Sequence, residues 1–337
     1  THNILGCLKL IVATLVPAGS VVPSNARGRI DVLTPQGAQV LDVRDRAEAI
    51  FTGNLDLEKL ETALSEGGVS IIDLPAFADG QHPFSLANLR AVKELASRYG
   101  KKLILDGSRI IENAWYIQTH EAGCAGMAIA DLVKRIVKTA DIFLMDGAQD
   151  ARCNTGGLLT TDHPDIHETF MNEVVVYEGL HTYGGMAGRT MEVFAVGLRE
   201  MCEETEVHWV MHQNERFTQR LRDGGVPLER GCDGAYIKAA EFLPHLEEHQ
   251  QDAFSAALYE ICGVRALARG FVGRDQLVPV QIPRLAMMNE QLDQVADAII
   301  RLYEQREKIP PMQLVESGSW RDQMAYHWVF ADVEPYE

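Results

Sequence analysis

Three apolar runs in this sequence end on the same residue type. Val69-Ser70-Ile71-Ile72 is followed by Asp73, Leu103-Ile104-Leu105 by Asp106, and Ile142-Phe143-Leu144-Met145 by Asp146. If the runs are strands of one open α/β sheet, ligands bind beyond their carboxyl ends, and the three acids are candidates for a site. An aspartate at a strand end also commonly caps the turn that follows, and both readings stay open here. Carboxylates within 4 Å of one another repel by about 4 kcal/mol per pair at an effective dielectric near 20. Convergence of the three would therefore require a positive partner: Arg109, a cationic ligand, or a divalent metal held by the acids and His82.

Other reactive residue types are less specific. The six cysteines are scattered, with no C-x-x-C pair and no zinc-ligand spacing, as expected of reduced thiols in a cytoplasmic protein. Cys153 lies close to Gln149 and could act as a nucleophile, but most free cysteines are small buried fillers. His208 and His212 are four apart on a polar stretch, which predicts a solvated pair rather than a metal site. No H-E-x-x-H pattern occurs among the 11 histidines.

The elements that must position these residues follow from periodicity. Ser85 can cap a helix with Leu86, Leu89, Val92 and Leu95 on one face, ended by Gly100. Leu132, Val133, Ile136 and Val137 mark a second helix before the run at Ile142, and Leu57 to Leu64 a third before Val69. Helices alternating with apolar runs predict a parallel α/β sheet. After residue 204 polar helices and glycine breaks take over, so the expected division is a large α/β domain over 1–204 and a smaller α+β domain over 205–337. With 337 residues, two domains are also the expectation from length. The net charge of −17 argues against nucleic acid or an anionic membrane as partner. No apolar run reaches the ~18 residues of a membrane helix. Ile4 to Val16 has some character of a secretion signal, but Lys9 interrupts it. Thr1 rather than Met opens the sequence, so part of the N-terminus is expected to precede it.

Several segments, in order, resemble one known family. They are Phe84-Ser85-Leu86-Ala87-Asn88-Leu89-Arg90-Ala91-Val92, then Asp106-Gly107-Ser108-Arg109 with Glu112-Asn113-Ala114, then Val174-Val175-Val176-Tyr177-Glu178-Gly179 through Tyr183-Gly184-Gly185-Met186-Ala187-Gly188-Arg189, and finally Ile282-Pro283-Arg284. Together they resemble the tryptophanase and tyrosine phenol-lyase group of β-eliminating lyases, over about Asn54 to Tyr303. The resemblance implies the aspartate-aminotransferase-like fold (type I) of pyridoxal-phosphate (PLP) enzymes, and a homo-oligomer, dimer or tetramer. It also implies roles. Asp106 matches the acid that pairs with the pyridine nitrogen, and Arg109 the arginine facing the phenolic oxygen. Arg284 matches the arginine that grips the substrate carboxylate, a bidentate task suited to guanidinium. Arg269 matches an arginine near the side-chain pocket, and Asn154 an asparagine near a monovalent-cation site. His181 and Tyr183 lie in a segment that reaches the active site in the relatives, and Tyr183 suits acid or hydrogen-bond-donor work.

The departures from the family pattern bear on chemistry. Where the family reads Ser-Gly-Lys-Lys-Asp, with the second lysine holding PLP as a Schiff base, this chain reads Asp146-Gly147-Ala148-Gln149-Asp150. Gln149 stands at the lysine position, and no lysine occurs between Lys138 and Lys238. An amide forms no imine and moves no α-proton. Asp146 replaces the phosphate-binding serine, Phe77 an asparagine at the ring oxygen, and Pro23 an aromatic that stacks on the ring. The glycine-rich phosphate loop would lie just before Thr1. These changes predict an enzyme on an amino-acid-like, aromatic substrate that works without lysine-bound PLP. Asp106, Arg109, His181 and Tyr183 would line its pocket, with acid–base or metal-assisted chemistry. The alternatives are a non-catalytic amino-acid-binding or assembly subunit, and an enzyme holding PLP non-covalently.

Overall fold

The computed structural model describes the chain except residues 27–29, 31–33, 36, 48, 181–184, 268–276, 317–326 and 331–337. It divides into two compact units, Thr1–Trp209 and Val210–Glu337.

The first unit is built on a six-stranded sheet. Its strands are β1 (Val21–Ser24), β2 (Gln39–Asp42), β3 (Ile71–Asp73), β4 (Lys102–Asp106), β5 (Ile142–Asp146) and β6 (Gly157–Thr161), in the spatial order β2-β1-β3-β4-β5-β6. Every neighbouring pair is parallel except β5 with β6. The apolar runs thus form buried central strands, as runs bounded by turn residues do when both sheet faces are covered.

Helix α1 (Ile4–Leu15) lies on one face. Its Cys7, Leu8, Ile11 and Val12 pack with Val22, Ile71, Ile104, Ile142 and Leu144. The stretch with the character of a signal is therefore a core helix. Helices α2 (Leu57–Glu66), α3 (Leu86–Arg98), α4 (Ile110–His120) and α5 (Ile129–Thr139) complete the alternation, each burying an apolar stripe. Ser85 caps α3 as expected, its hydroxyl accepting from the Asn88 amide at 3.1 Å. After β6 come α6 (Pro164–Tyr177) and α7 (Gly188–Glu200). Phe170 and Ile166 of α6 join the α1 cluster, whereas α7 buries only Phe194 and Gly197.

The boundary between units falls inside α8 (Glu204–Asp223), because that helix runs without a break through residue 205. His208 and His212 are exposed on it, His208 lying 3.6 Å from Glu204.

The second unit holds an antiparallel sheet of β7 (Leu228–Arg230), β8 (Gly234–Lys238) and β9 (Leu277–Gln281). It also holds α9 (Ala239–Phe242), α10 (Gln250–Cys262), α11 (Asn289–Glu304) and a hairpin of β10 (Met312–Glu316) with β11 (His327–Phe330). Its core gathers Phe217, Leu221, Ile237, Phe242, Phe254, Leu258 and Ile299. Among the described residues no helix is long and apolar enough to cross a membrane.

At the amino edge of the large sheet Asp141 ties three elements together. It takes 2.6 Å from Lys93 Nζ and 2.8 Å from the Leu103 amide, and His163 Nε2 lies 2.7 Å away. Burial alone would push its carboxyl up, but the Leu103 amide, Lys93 and His163 outweigh burial and hold it below the ordinary carboxylate range. Such an acid adds stability above its unfolded pKa and loses it as pH falls through the folded value. Asp141→Asn is expected to cost about 1–3 kcal/mol of unfolding free energy at pH 7. In urea denaturation that gap should close as the pH drops below about 4.

Candidate functional site

The parallel strands bring Ser24, Asp73, Asp106 and Asp146 to one edge and one face of the sheet. Residues paired in register point the same way, and Ser24 pairs with Asp73, Asp73 with Ile104, and Asp106 with Leu144. Each acid therefore sits two residues further out than the one before it. At about 3.3 Å per residue and 4.8 Å between strands, neighbouring Cα atoms are roughly 8 Å apart. Repulsion at that distance is roughly 2 kcal/mol per pair, half of what full convergence would impose. The three carboxylates form a staircase, not a cluster. Among the described residues no three His, Cys, Asp or Glu side chains come together to hold a metal ion. His82 lies elsewhere, its Nδ1 2.9 Å from Thr52 Oγ1. Burial, with Arg44 adding to it, presses that imidazole down to about 4.

Each step of the staircase is fixed differently. Asp73 is 3% exposed, and its Oδ2 accepts from Ser24 Oγ at 2.9 Å. Burial pushes this carboxyl up to about 7; the Ser24 hydroxyl opposes the rise and the Asp106 charge adds to it. Asp106 Oδ1 accepts from Ser108 twice, from the amide at 2.9 Å and the hydroxyl at 2.6 Å. Gly107 between them lies against Phe143, whose ring atom would be 2.1 Å from an added Cβ. Asp146 caps its own turn, Oδ1 accepting from the Ala148 amide at 3.0 Å. The capping reading thus holds for Asp106 and Asp146, while Asp73 stands apart from it.

Arg109 opens α4 in the left-handed region, at φ 68°, and its amide donates to Asp150 Oδ2 at 2.7 Å. Asp150 is fully buried. It joins the β4–α4 turn to the loop that carries Gln149. That loop is closed at its base by Gly147, whose amide donates to Gly156 O at 2.9 Å, and both glycines face the Phe194 ring of α7. Gln149 is half-buried, and its Oε1 is buried with no hydrogen-bond partner among the described residues. Cys153 at the far side of the loop is buried and burial raises its thiol, as suits a small buried filler.

The first turn of α1 reaches the same edge. Asn3 caps the Gly6 amide at 3.1 Å, and His2 O accepts from the Gly156 amide at 2.9 Å. Glu178 Oε2 takes the His2 amide and lies beside His2 Nδ1, both at 2.5 Å. Burial pushes the Cys7 thiol up to about 11 against a Thr1 hydrogen bond, and the charges of Asp106 and Glu178 add to the rise.

Packing sets the surroundings of the other expected residues. Phe77, expected against a ligand, is 2% exposed at φ 47°, its ring edge-on to Tyr116 at 5.1 Å; the aromatic cluster on α4 claims it. Pro23 lies buried inside β1, paired with Leu41. Asn154 is exposed. Arg284 is half-buried in the turn after β9, in the second unit. His181, Tyr183 and Arg269 lie outside the described residues. Asp73 ends its apolar run as the other two acids do, and nothing in the run assigns it a role. The signal for it was Ser24, a hydroxyl residue ending the neighbouring strand.

Residues 23–303 match the model of a known protein family, described as beta-eliminating lyase. The chain belongs to the β-eliminating lyase family. It is 33% identical to a tyrosine phenol-lyase of Nostoc punctiforme, over 94% of this chain and 74% of that protein. To a tyrosine phenol-lyase of Fusobacterium nucleatum subsp. nucleatum it is 35% identical, over 94% and 75%. Among solved structures it resembles serine palmitoyltransferase of Sphingomonas wittichii, with a TM-score of 0.62 at 13% identity over 92% of this chain and 72% of that one. An aspartate aminotransferase of Rhodobacter sphaeroides gives 0.62 at 17% identity over 90% and 76%. These likenesses establish the type I, aspartate-aminotransferase-like fold for this β-eliminating lyase.

The Phe143 contact gives a test of the turn that presents Asp106. Gly107→Ala is expected to destabilise the lyase by about 1–3 kcal/mol, the usual cost of overpacking, and to lower the melting temperature in calorimetry.

Proposed function

We propose that this chain is an enzyme of the lyase family acting on an amino-acid-like substrate with an aromatic side chain, without lysine-bound PLP. The observation that carries the reading is the loop after β5. Its shape is tied down by Asp150, Gly147 and Gly156, yet residue 149 is an amide, and the chain has no lysine from 139 to 237. The residues present do not fit the covalent cofactor. Asp146 presents a carboxylate where the family places its phosphate serine, and a carboxylate beside a phosphate dianion is costly without a counter-ion. The buried Gln149 Oε1 is an acceptor without a donor; it suits a ligand N–H or O–H and cannot supply an amine.

What the chain's own groups can do follows from their chemistry. Arg284, by its match to the family, would take the substrate carboxylate in a bidentate contact. Asp106, oriented by Ser108, offers a fixed negative charge to a cationic group. Arg109 is anchored through its backbone by Asp150, so its guanidinium starts from a fixed Cα. His181 and Tyr183 are proposed as acid–base groups, on the strength of the family-like segment that carries them. The assembly proposed is a homo-oligomer, as in the relatives' group.

A second reading, PLP held non-covalently, is favoured by Asp106 at the pyridine-nitrogen position. One experiment separates the two. The purified chain is mixed with one equivalent of PLP and divided: one part is desalted and its spectrum taken, and the other is treated with borohydride, desalted and digested. The expected result is no visible absorbance after desalting and no pyridoxyl-lysine peptide, whereas Gln149→Lys gains such a peptide at residue 149. A pyridoxyl group on any lysine of the wild-type protein overturns the proposal. Retained colour with no fixed peptide selects the non-covalent reading.

A further inference from the structure

We propose that Asp73 holds the exchangeable proton of this site, in a carboxyl that Ser24 orients at the end of β3 and that the neighbouring charge of Asp106 governs. This rests on the reading of the carboxyl edge as the ligand site, but its test needs neither ligand nor cofactor.

The geometry isolates Asp73 from every ordinary role of a strand-end acid. It caps no turn, since the Leu74 amide donates to Ile104 O and the Ala76 amide to Asp106 O. It lies in no salt bridge among the described residues, and its single hydrogen bond there is the one from Ser24 to Oδ2, leaving Oδ1 without a partner. The Ser24 hydroxyl is itself fixed, because its oxygen accepts from the Ala26 amide at 3.1 Å. The groups around Asp73 are therefore Ser24 on β1, Asp106 on β4, and α1 over the same face, with Cys7 within reach of the Asp106 charge. Cys7 stays a neutral thiol at neutral pH.

An acid buried this way, one step behind a second carboxylate, ionises above its usual pH, because burial leaves its charge little water and no salt bridge holds it among the described residues. It keeps its proton until neutrality, where a proton passes most readily in either direction. When it does ionise, the proton leaves Oδ1 for water or a ligand oxygen and the carboxylate remains on Ser24. Its return restores the neutral acid.

The sign of the coupling is testable. A carboxyl raised in the folded state favours folding below its unfolded pKa, and that contribution fades as pH rises towards the folded value. Asp73→Asn removes the dependence. Its melting temperature relative to wild type is thus expected to climb steadily from pH 5 to pH 8. In protein labelled with carbon-13 at aspartate carboxyls, NMR should show one resonance titrating near neutrality, absent from Asp73→Asn. Asp106→Asn should move that titration to lower pH, and Ser24→Ala to higher pH. Ser24→Ala, a deletion of one hydroxyl, keeps the test open should Asp106→Asn fail to fold. A wild-type spectrum with no aspartate titrating between pH 6 and 8, or a titration that ignores both neighbours, overturns the inference. Neither outcome depends on the borohydride result.

Discussion

Everything at the candidate site follows from the parallel pairing of β1, β3, β4 and β5. Parallel strands put all their carboxyl ends at one edge, and right-handed crossovers must carry the chain back each time. Only then can Ser24, Asp73, Asp106 and Asp146 share an edge despite spanning more than a hundred residues of sequence. The same pairing fixes the stagger between strands. That stagger keeps the acids from crowding at their shared edge.

Antiparallel β6 closes the sheet on one side and changes the character of the edge there. Because it runs back from Gly157, the loop between β5 and β6 is a hairpin that starts and finishes at the site. Phe194 fills the space over its two glycines, and His2 binds its outgoing limb. The loop is held at its base, at its middle through Asp150, and along one side by α1. Its side chains are thereby presented from a rigid frame, which is what a reactive group needs.

The alternation of helices and strands was legible from periodicity because both faces of the sheet are covered, and the apolar runs had to be continuous. The Ser85 cap was legible for a similar reason, one hydroxyl meeting one orphan amide. Family membership was legible from ordered segments around Asp106, Glu178 and Arg284. Burial of individual rings was not. The ring of Phe77 stands edge-on to Tyr116, and no linear pattern announces that contact. Whether the three acids converge was left open by the sequence, because register, which sets the stagger, is invisible until strands are paired. The α8 boundary was placed early because the polar stretch after residue 204 continues a helix instead of starting a new domain.

Asp150 has a consequence for how this scaffold can change. A buried carboxylate that grips the backbone of a turn on another strand welds two pieces of the cleft into one mechanical part. The side chain next to it, at 149, bears none of that load. Exchange of the residue there leaves the walls of the cleft in place, so the frame of the room and the group it presents can vary independently of one another.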